Sequence, residues 1–232
     1  MSNYKKQLRI KHKEDSIKTF HINKTLKNDE LSRINSNQNN DIEYLIIVDF
    51  EANCSDDKRN LVPLEIIEFP CVVYSIKNNI IRRDLDFMTF CKIKTPITQF
   101  CTDLTTITQS MTDSGISLEK VLELNQEWLY KNKLEKSLFV TCGDWDLKIA
   151  LPINCKFLNI TYPDYLKKWA NIKNIYEETY KRKAAGMKGM LQELNIPLDG
   201  THHRGIDDCS NIAKIAQQII KDGGIFQITN FI

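Results

Sequence analysis

Between Tyr44 and Phe50 the chain reads Tyr-Leu-Ile-Ile-Val-Asp-Phe, and this stretch limits the fold more than any other. It is β-branched, too short for a helix and apolar on both faces. Such a run predicts a central strand covered by other layers on each side. Two further strands are expected over Ile66–Ile76 and Ile80–Ile93, with Lys77-Asn78-Asn79 as the turn between them. Three consecutive strands with short connections predict an antiparallel three-strand meander. Helical spacing then takes over. Ser117 caps a stretch carrying Leu118, Val121, Leu122, Leu124, Trp128 and Leu129. Ser137–Cys142 reads as a short strand, and Asp144–Phe157 as a helix that Pro152 limits or kinks. Ala184–Leu194 and Asp207–Ile220 read as the last helices. The order predicts an α/β layer fold, a central mixed sheet flanked by helices.

Composition narrows the class without naming a function. The 232 residues include 42% hydrophobic and 27% charged side chains, ordinary for a globular chain, and the net charge of +2 neither requires nor excludes a nucleic-acid partner. No apolar run approaches the roughly 18 residues of a membrane span, and the N-terminus lacks an apolar signal region. Seven cysteines (54, 71, 91, 101, 142, 155 and 209) form no CxxC pair, which predicts reduced thiols in an intracellular compartment. Residues 1–43 mix charges of both signs with no sustained apolar period, so a polar, flexible leader is expected there, with one marginal helix at most. The ordered domain is expected over 44–232.

The informative residues are acids at the ends of apolar elements. Asp49 and Glu51 lie two apart at the end of the first strand, which puts both on one face with Cα atoms roughly 6.5–7 Å apart. A pair of divalent ions about 3.5–4 Å apart would offset the cost of that juxtaposition. A solvent-exposed strand end running into a polar loop would offset it as well. Near the C-terminus, helical steps from Asp208 reach Ile212, Ile215 and Ile219, whereas the same steps from Asp207 reach Asn211, Lys214 and Gln218. Asp208 is therefore expected to point inward, and Asp207 to face solvent and serve as the better cap. Asp146 shares its face with Ile149, Ala150 and Ile153, a weaker inward stripe, and Asp144 is a candidate N-cap. His202 and His203 each precede an aspartate by five residues. Either imidazole, near pKa 6.5, could take a proton from water at neutral pH.

Taken in order, these clusters resemble the DEDDh 3′–5′ exonucleases, a group with an RNase H-like fold that includes RNase T and polymerase proofreading subunits. The chain is most similar to the Eri-type exoribonucleases. The resemblance rests on Val48-Asp49-Phe50-Glu51-Ala52, Glu65-Ile66-Ile67-Glu68-Phe69-Pro70 and Phe100-Cys101-Thr102-Asp103-Leu104-Thr105-Thr106-Ile107-Thr108. It continues through Gly143-Asp144-Trp145-Asp146, Lys168-Trp169-Ala170-Asn171-Ile172 and Gly205-Ile206-Asp207-Asp208.

The resemblance implies Asp49, Glu51, Asp146 and Asp208 as ligands of two Mg²⁺ ions, for which Mn²⁺ can substitute. It makes His203 the general base and excludes His202 from that role. It also implies a terminal-nucleotide pocket of Phe100, Leu104, Thr105, Trp145 and Leu147, with Ala52 beside the 3′ hydroxyl. The expected partner is RNA with a single-stranded 3′ end, cut to nucleoside 5′-monophosphates. A DNA-directed exonuclease and a catalytically weak RNA-binding adaptor are the alternatives. The chain departs from the family in carrying Thr106 where glycine is usual and Asp144 where close relatives have serine. Residues 1–43 show no SAP pattern, so short or overhanging 3′ ends are expected rather than one particular stem-loop.

Overall fold

The computed structural model describes residues 27–32, 42–57 and 63–232. The chain divides into two compact units, Met1–Asn40 and Asp41–Ile232. The first contributes one short described helix, α1 (residues 27–32). The leader expected over 1–43 falls mostly outside the described residues.

The second unit is built on an eight-stranded mixed sheet. Strand β1 (Tyr44–Val48) lies inside it, antiparallel to β3 (Ile66–Ser75) and parallel to β6 (Ser137–Thr141). The main path runs β2 (Glu51–Ala52), β3, β1, β6, β7 (Lys168–Asn171) and β8 (Asn230–Phe231). Strands β4 (Ile80–Ile81) and β5 (Phe87–Phe90) both pair antiparallel with β3, which gives the expected meander. Its third strand is not continuous from Ile80 to Ile93. A 3₁₀ turn at Arg83–Leu85 divides it, where the Arg82 guanidinium makes two bonds to the Asp84 carboxylate, at 2.6 and 2.9 Å. That local pairing competes with the ladder, and regular pairing resumes at Phe87.

Alternation along β1 sets the two layers. Ile46 and Val48 join one core cluster with side chains of α4 (Leu118–Lys131) and α5 (Leu151–Leu158). Leu45 and Ile47 face the other side, where α8 (Gly205–Lys221) packs on β1 and β3. Ser117 caps α4 as expected, its hydroxyl accepting from the Lys120 N–H. Helices α2 (Gln99–Thr105), α3 (Gln109–Asp113) and α6 (Ile172–Tyr180) were not legible in the sequence pattern. Helix α7 (Met187–Glu193) and α8 match expected helices, with α8 starting two residues earlier than predicted.

The helix after β6 departs from its reading in an instructive way. Asp146–Ala150 form a π turn, in which the Leu151 N–H reaches back five residues to the Asp146 carbonyl, and α5 follows directly. Pro152 falls in the first turn of that α segment, where a missing N–H is tolerated. The wider turn changes the register, so Asp146, Leu147, Ala150, Leu151, Asn154 and Cys155 are buried. Ile149 and Ile153, expected to share the inward face of Asp146, are exposed instead.

Thr106, at the position where glycine is usual, closes α2 in the left-handed conformation at φ 64°. A β-branched residue there is strained, because its Cβ crowds the following carbonyl. Thr106→Gly is expected to relieve about 1 kcal/mol and raise Tm by roughly 2–4 °C in a domain of this size. An unchanged or lower Tm in thermal denaturation would refute it.

Candidate active site

The β1 ladder stops at Val48, and the strand resumes as β2 at Glu51, across from Glu68 of β3. Opposite the gap stands Pro70, which has no N–H to give a ladder. Past the end of β1, the Phe50 N–H donates to Asp146 Oδ1 at 2.8 Å. The interruption therefore places Asp49 and Glu51 at a sheet edge and anchors Asp146, 96 residues away in sequence, against the same edge.

The start of α8 closes on this edge from the other side. Asp208 is buried and Asp207 half-buried, as the stripe predicted. Asp207 is not the cap residue: Arg204 holds that position, and Asp207 Oδ2 accepts the Thr201 N–H at 2.9 Å. Nor is Asn211 solvated. It is fully buried, donates to the Asp199 and Asp207 carbonyls and accepts the Asp199 N–H, so its polarity is satisfied internally.

Carboxylate oxygens of Asp49, Glu51 and Asp208 lie within 4.8 Å of one another. Asp208 also accepts the His203 N–H at 2.8 Å and has His202 Nδ1 2.9 Å from its Oδ2. The two imidazoles stack, with ring centroids 3.8 Å apart and 27° between planes. His203, at φ 68°, lines the cavity in front of the acids, whereas His202 is bonded to Asp208.

Glu68 is the residue that sequence reasoning passed over. It is fully buried, and its Oε2 accepts the Gly205 N–H at 2.9 Å, tying β3 to the first turn of α8. Gly205 permits this closeness, since a Cβ there would lie 2.6 Å from the Asp49 carbonyl oxygen. The available signal was an acid in the middle of a ten-residue strand that is otherwise almost wholly apolar.

Crowding governs the electrostatics. Burial, followed by Asp146, Glu51, Asp208 and Glu68, holds the Asp49 carboxyl well above its usual range. Burial and the neighbouring acids push Glu51 up to about 9. Burial raises Asp146 to about 6, against the opposing Phe50 N–H. His203 moves below its usual 6.5, through burial first and then the adjacent His202, with Asp208 opposing. Converging acids whose ionised forms are this disfavoured need positive charge between them. An all-oxygen donor set of this kind suits hard divalent cations.

A cavity of about 490 Å³ opens over the cluster, lined among others by Asp49, Glu51, Ala52, Trp145, Asp146 and His203. The family described as exonuclease, RNase_T, matches residues 46–216, which span the whole of this arrangement. The chain belongs to the RNase_T exonuclease family. ERI1 exoribonuclease 3 of Homo sapiens is 40% identical over 192 residues, covering 81% of this chain and 56% of that protein. The chain thus spans little more than half the length of these relatives. Among solved structures, the nuclease domain of 3′hExo, a DEDDh family member bound to rAMP, aligns with a TM-score of 0.78. It is 32% identical and covers 82% of this chain and 98% of that one. The 3′-exonuclease solved for recognition of the histone mRNA stem-loop 3′ end aligns at 0.75 and 31% identity, covering 82% and 85%. The fold is that of the DEDDh exonucleases, RNase H-like, and membership of the family implies divalent metal ions.

Within this RNase_T domain the residues assigned to a nucleotide pocket divide. Ala52 and Trp145 line the cavity. Phe100 is exposed on α2 and Leu104 half-buried one turn on. Thr105 and Leu147 are fully buried, and the Thr105 hydroxyl donates to the Cys101 carbonyl and accepts the Ile107 N–H. Asp144 is held away from the cluster. Its Oδ1 accepts from the side-chain amides of Asn171 and Asn230, and Lys148 lies 3.9 Å from its other oxygen. Asn53, Cys54, Ser55, Leu64 and Cys142 also line the cavity, brought there by loop geometry that carries no periodic signal.

Proposed function

We propose that the protein is a 3′–5′ exoribonuclease that releases nucleoside 5′-monophosphates from single-stranded RNA 3′ ends, using two Mg²⁺ ions for which Mn²⁺ can substitute. The observation that carries this reading is the convergence of Asp49, Glu51 and Asp208 beneath a cavity that Asp146, His203 and Trp145 also line.

In this reading Asp49, Glu51, Asp146 and Asp208 hold the ions, and the Phe50 N–H fixes the orientation of Asp146. Bound divalent ions supply Lewis acidity at the scissile phosphate and neutralise its charge. His203, uncharged at neutral pH, takes the proton from the attacking water. The new bond forms to phosphorus, the bond from phosphorus to the 3′ oxygen breaks, and the shortened chain keeps a 3′ hydroxyl. Trp145 offers an aromatic face to the terminal base, a sequence-tolerant contact of roughly 1–3 kcal/mol, with Ala52 near the sugar. Seven free cysteines, five of them buried, fit a reducing compartment inside the cell. Among the described residues no helix is long and apolar enough to cross a membrane.

The test is incubation with 3′-overhang RNA and matched DNA in Mg²⁺, Mn²⁺ or EDTA, with products separated chromatographically. Mononucleotides are expected from RNA, and only when metal is present. Equal or faster digestion of DNA would overturn the substrate assignment. Digestion of neither would remove the enzymatic reading.

A further inference from the structure

One outward face of the helix after β6 is apolar in a pattern that the core does not use. Trp145, Ile149, Ile153 and Phe157 recur every fourth residue and are 39%, 44%, 46% and 50% exposed. Residues four apart on a helix are surface neighbours, so the four form one continuous stripe. Soluble proteins rarely leave large apolar side chains contiguous on a surface without a ligand for them. The stripe begins in the cavity, which Trp145 lines.

Its borders are cationic. From Leu147 to Leu158 the chain carries Lys148 and Lys156 and no acid. At the far end Lys94 places its Nζ 5.2 Å from the centre of the Phe157 ring. Beyond lies a mostly apolar groove of about 280 Å³, bordered by Phe157, Leu158 and the Lys92–Lys94 segment. Glu65, the acid in that groove, is buried and spends its two oxygens on the Lys94 and Thr95 N–H groups.

We propose that this stripe is the track for the single-stranded nucleotides on the 5′ side of the one being cleaved, with Phe157 as a distal stacking platform. The inference rests on the exoribonuclease reading above and adds to it a substrate surface outside the catalytic cavity. Aromatic and apolar groups flanked by cations match a flexible strand of bases and phosphates, because every base offers a π-face whatever its identity. Continuity with the cavity and the absence of acids favour nucleic acid over an apolar protein segment. Twelve residues of helix cover roughly 18 Å, room for up to about five nucleotides at the 3.4 Å spacing of a stacked strand.

Steady-state hydrolysis by the full chain tests the track, with a ribodinucleotide and a single-stranded RNA of about eight nucleotides as substrates. Wild type should show a lower KM for the longer RNA. In Phe157→Ala and Ile153→Ala, KM for the longer RNA should rise, by at least about fivefold for Phe157, with kcat unchanged. Dinucleotide hydrolysis should not change, and Phe157→Trp should restore the wild-type KM. A KM in wild type that ignores length would overturn the track, as would alanine variants that keep the wild-type KM. Equal losses on both substrates would also overturn it, by assigning Phe157 a merely structural role. If wild type hydrolyses neither RNA, the exoribonuclease reading itself fails, which is a separable result.

Discussion

Asp49→Asn should abolish most activity and, in the same protein, raise thermal stability in EDTA at pH 8. The Asp49 carboxyl sits among Asp146, Glu51, Asp208 and Glu68, and its proton is held far more tightly than in an unfolded chain. Its stabilising contribution is complete below the unfolded pKa, near 3.8, and is lost as pH rises through the folded value. Glu51, pushed up to about 9, extends that loss into the alkaline range. Wild-type Tm in EDTA should therefore fall between about pH 5 and 9. The amide of the variant cannot ionise, so its fall should be shallower and its Tm at pH 8 higher. Even one unit of differential protonation is about 1.4 kcal/mol, roughly 3–6 °C for a domain of this size.

Saturating Mg²⁺ or Mn²⁺ should reverse the order of the two proteins. Cations at about 100 times their Kd stabilise by about 2.7 kcal/mol, and only wild type retains the full set of ligands. Activity should fall by at least about 100-fold, beyond the range for losing a group that merely supports a metal ligand. If the acids were only a solvated strand end, differential scanning fluorimetry would show the two proteins superimposed in EDTA.

His203→Ala should lower kcat by about 10²–10⁴, the range for loss of a general base, and should also remove the acid limb of the pH profile. Burial, His202 and Lys188 hold the His203 imidazole below its usual 6.5, with Asp208 opposing. The base works only when uncharged, so kcat/KM should rise with pH, pass half-maximum below 6.5 and level off near neutrality. His202→Ala should keep that limb, because the His202 ring is bonded to Asp208 while the His203 ring lines the cavity. Profiles at fixed, saturating metal decide between them. A limb that survived His203→Ala and vanished in His202→Ala would reverse the assignment.

Legibility tracked the distance over which each residue finds its partners. Asp208 could be read as buried because Ile212, Ile215 and Ile219 follow it at helical spacing, a purely local signal. Asn211 could not, because the Asp199 backbone that satisfies its amide approaches only through the loop before α8. The doubly covered β1 and the meander were visible in apolar runs. The division of β1 from β2 was not, since it depends on Pro70 arriving opposite the gap from another strand. Glu68 stood in plain view as an acid within an apolar strand, yet its role depends on Gly205, 137 residues away.

The π turn at Asp146–Ala150 carries a consequence for any redesign of this helix. One additional residue within the turn uncouples where Asp146 points from where the rest of the helix points. Deleting a residue between Asp146 and Pro152 would restore ordinary α spacing, yet it would rotate everything downstream by about 100°. Asn154 would then leave Ile66 and Leu64, whose backbone groups it now bonds. Shortening this helix by one residue thus amounts to a change of orientation, and its length is as much a functional parameter as the identity of any single side chain along it.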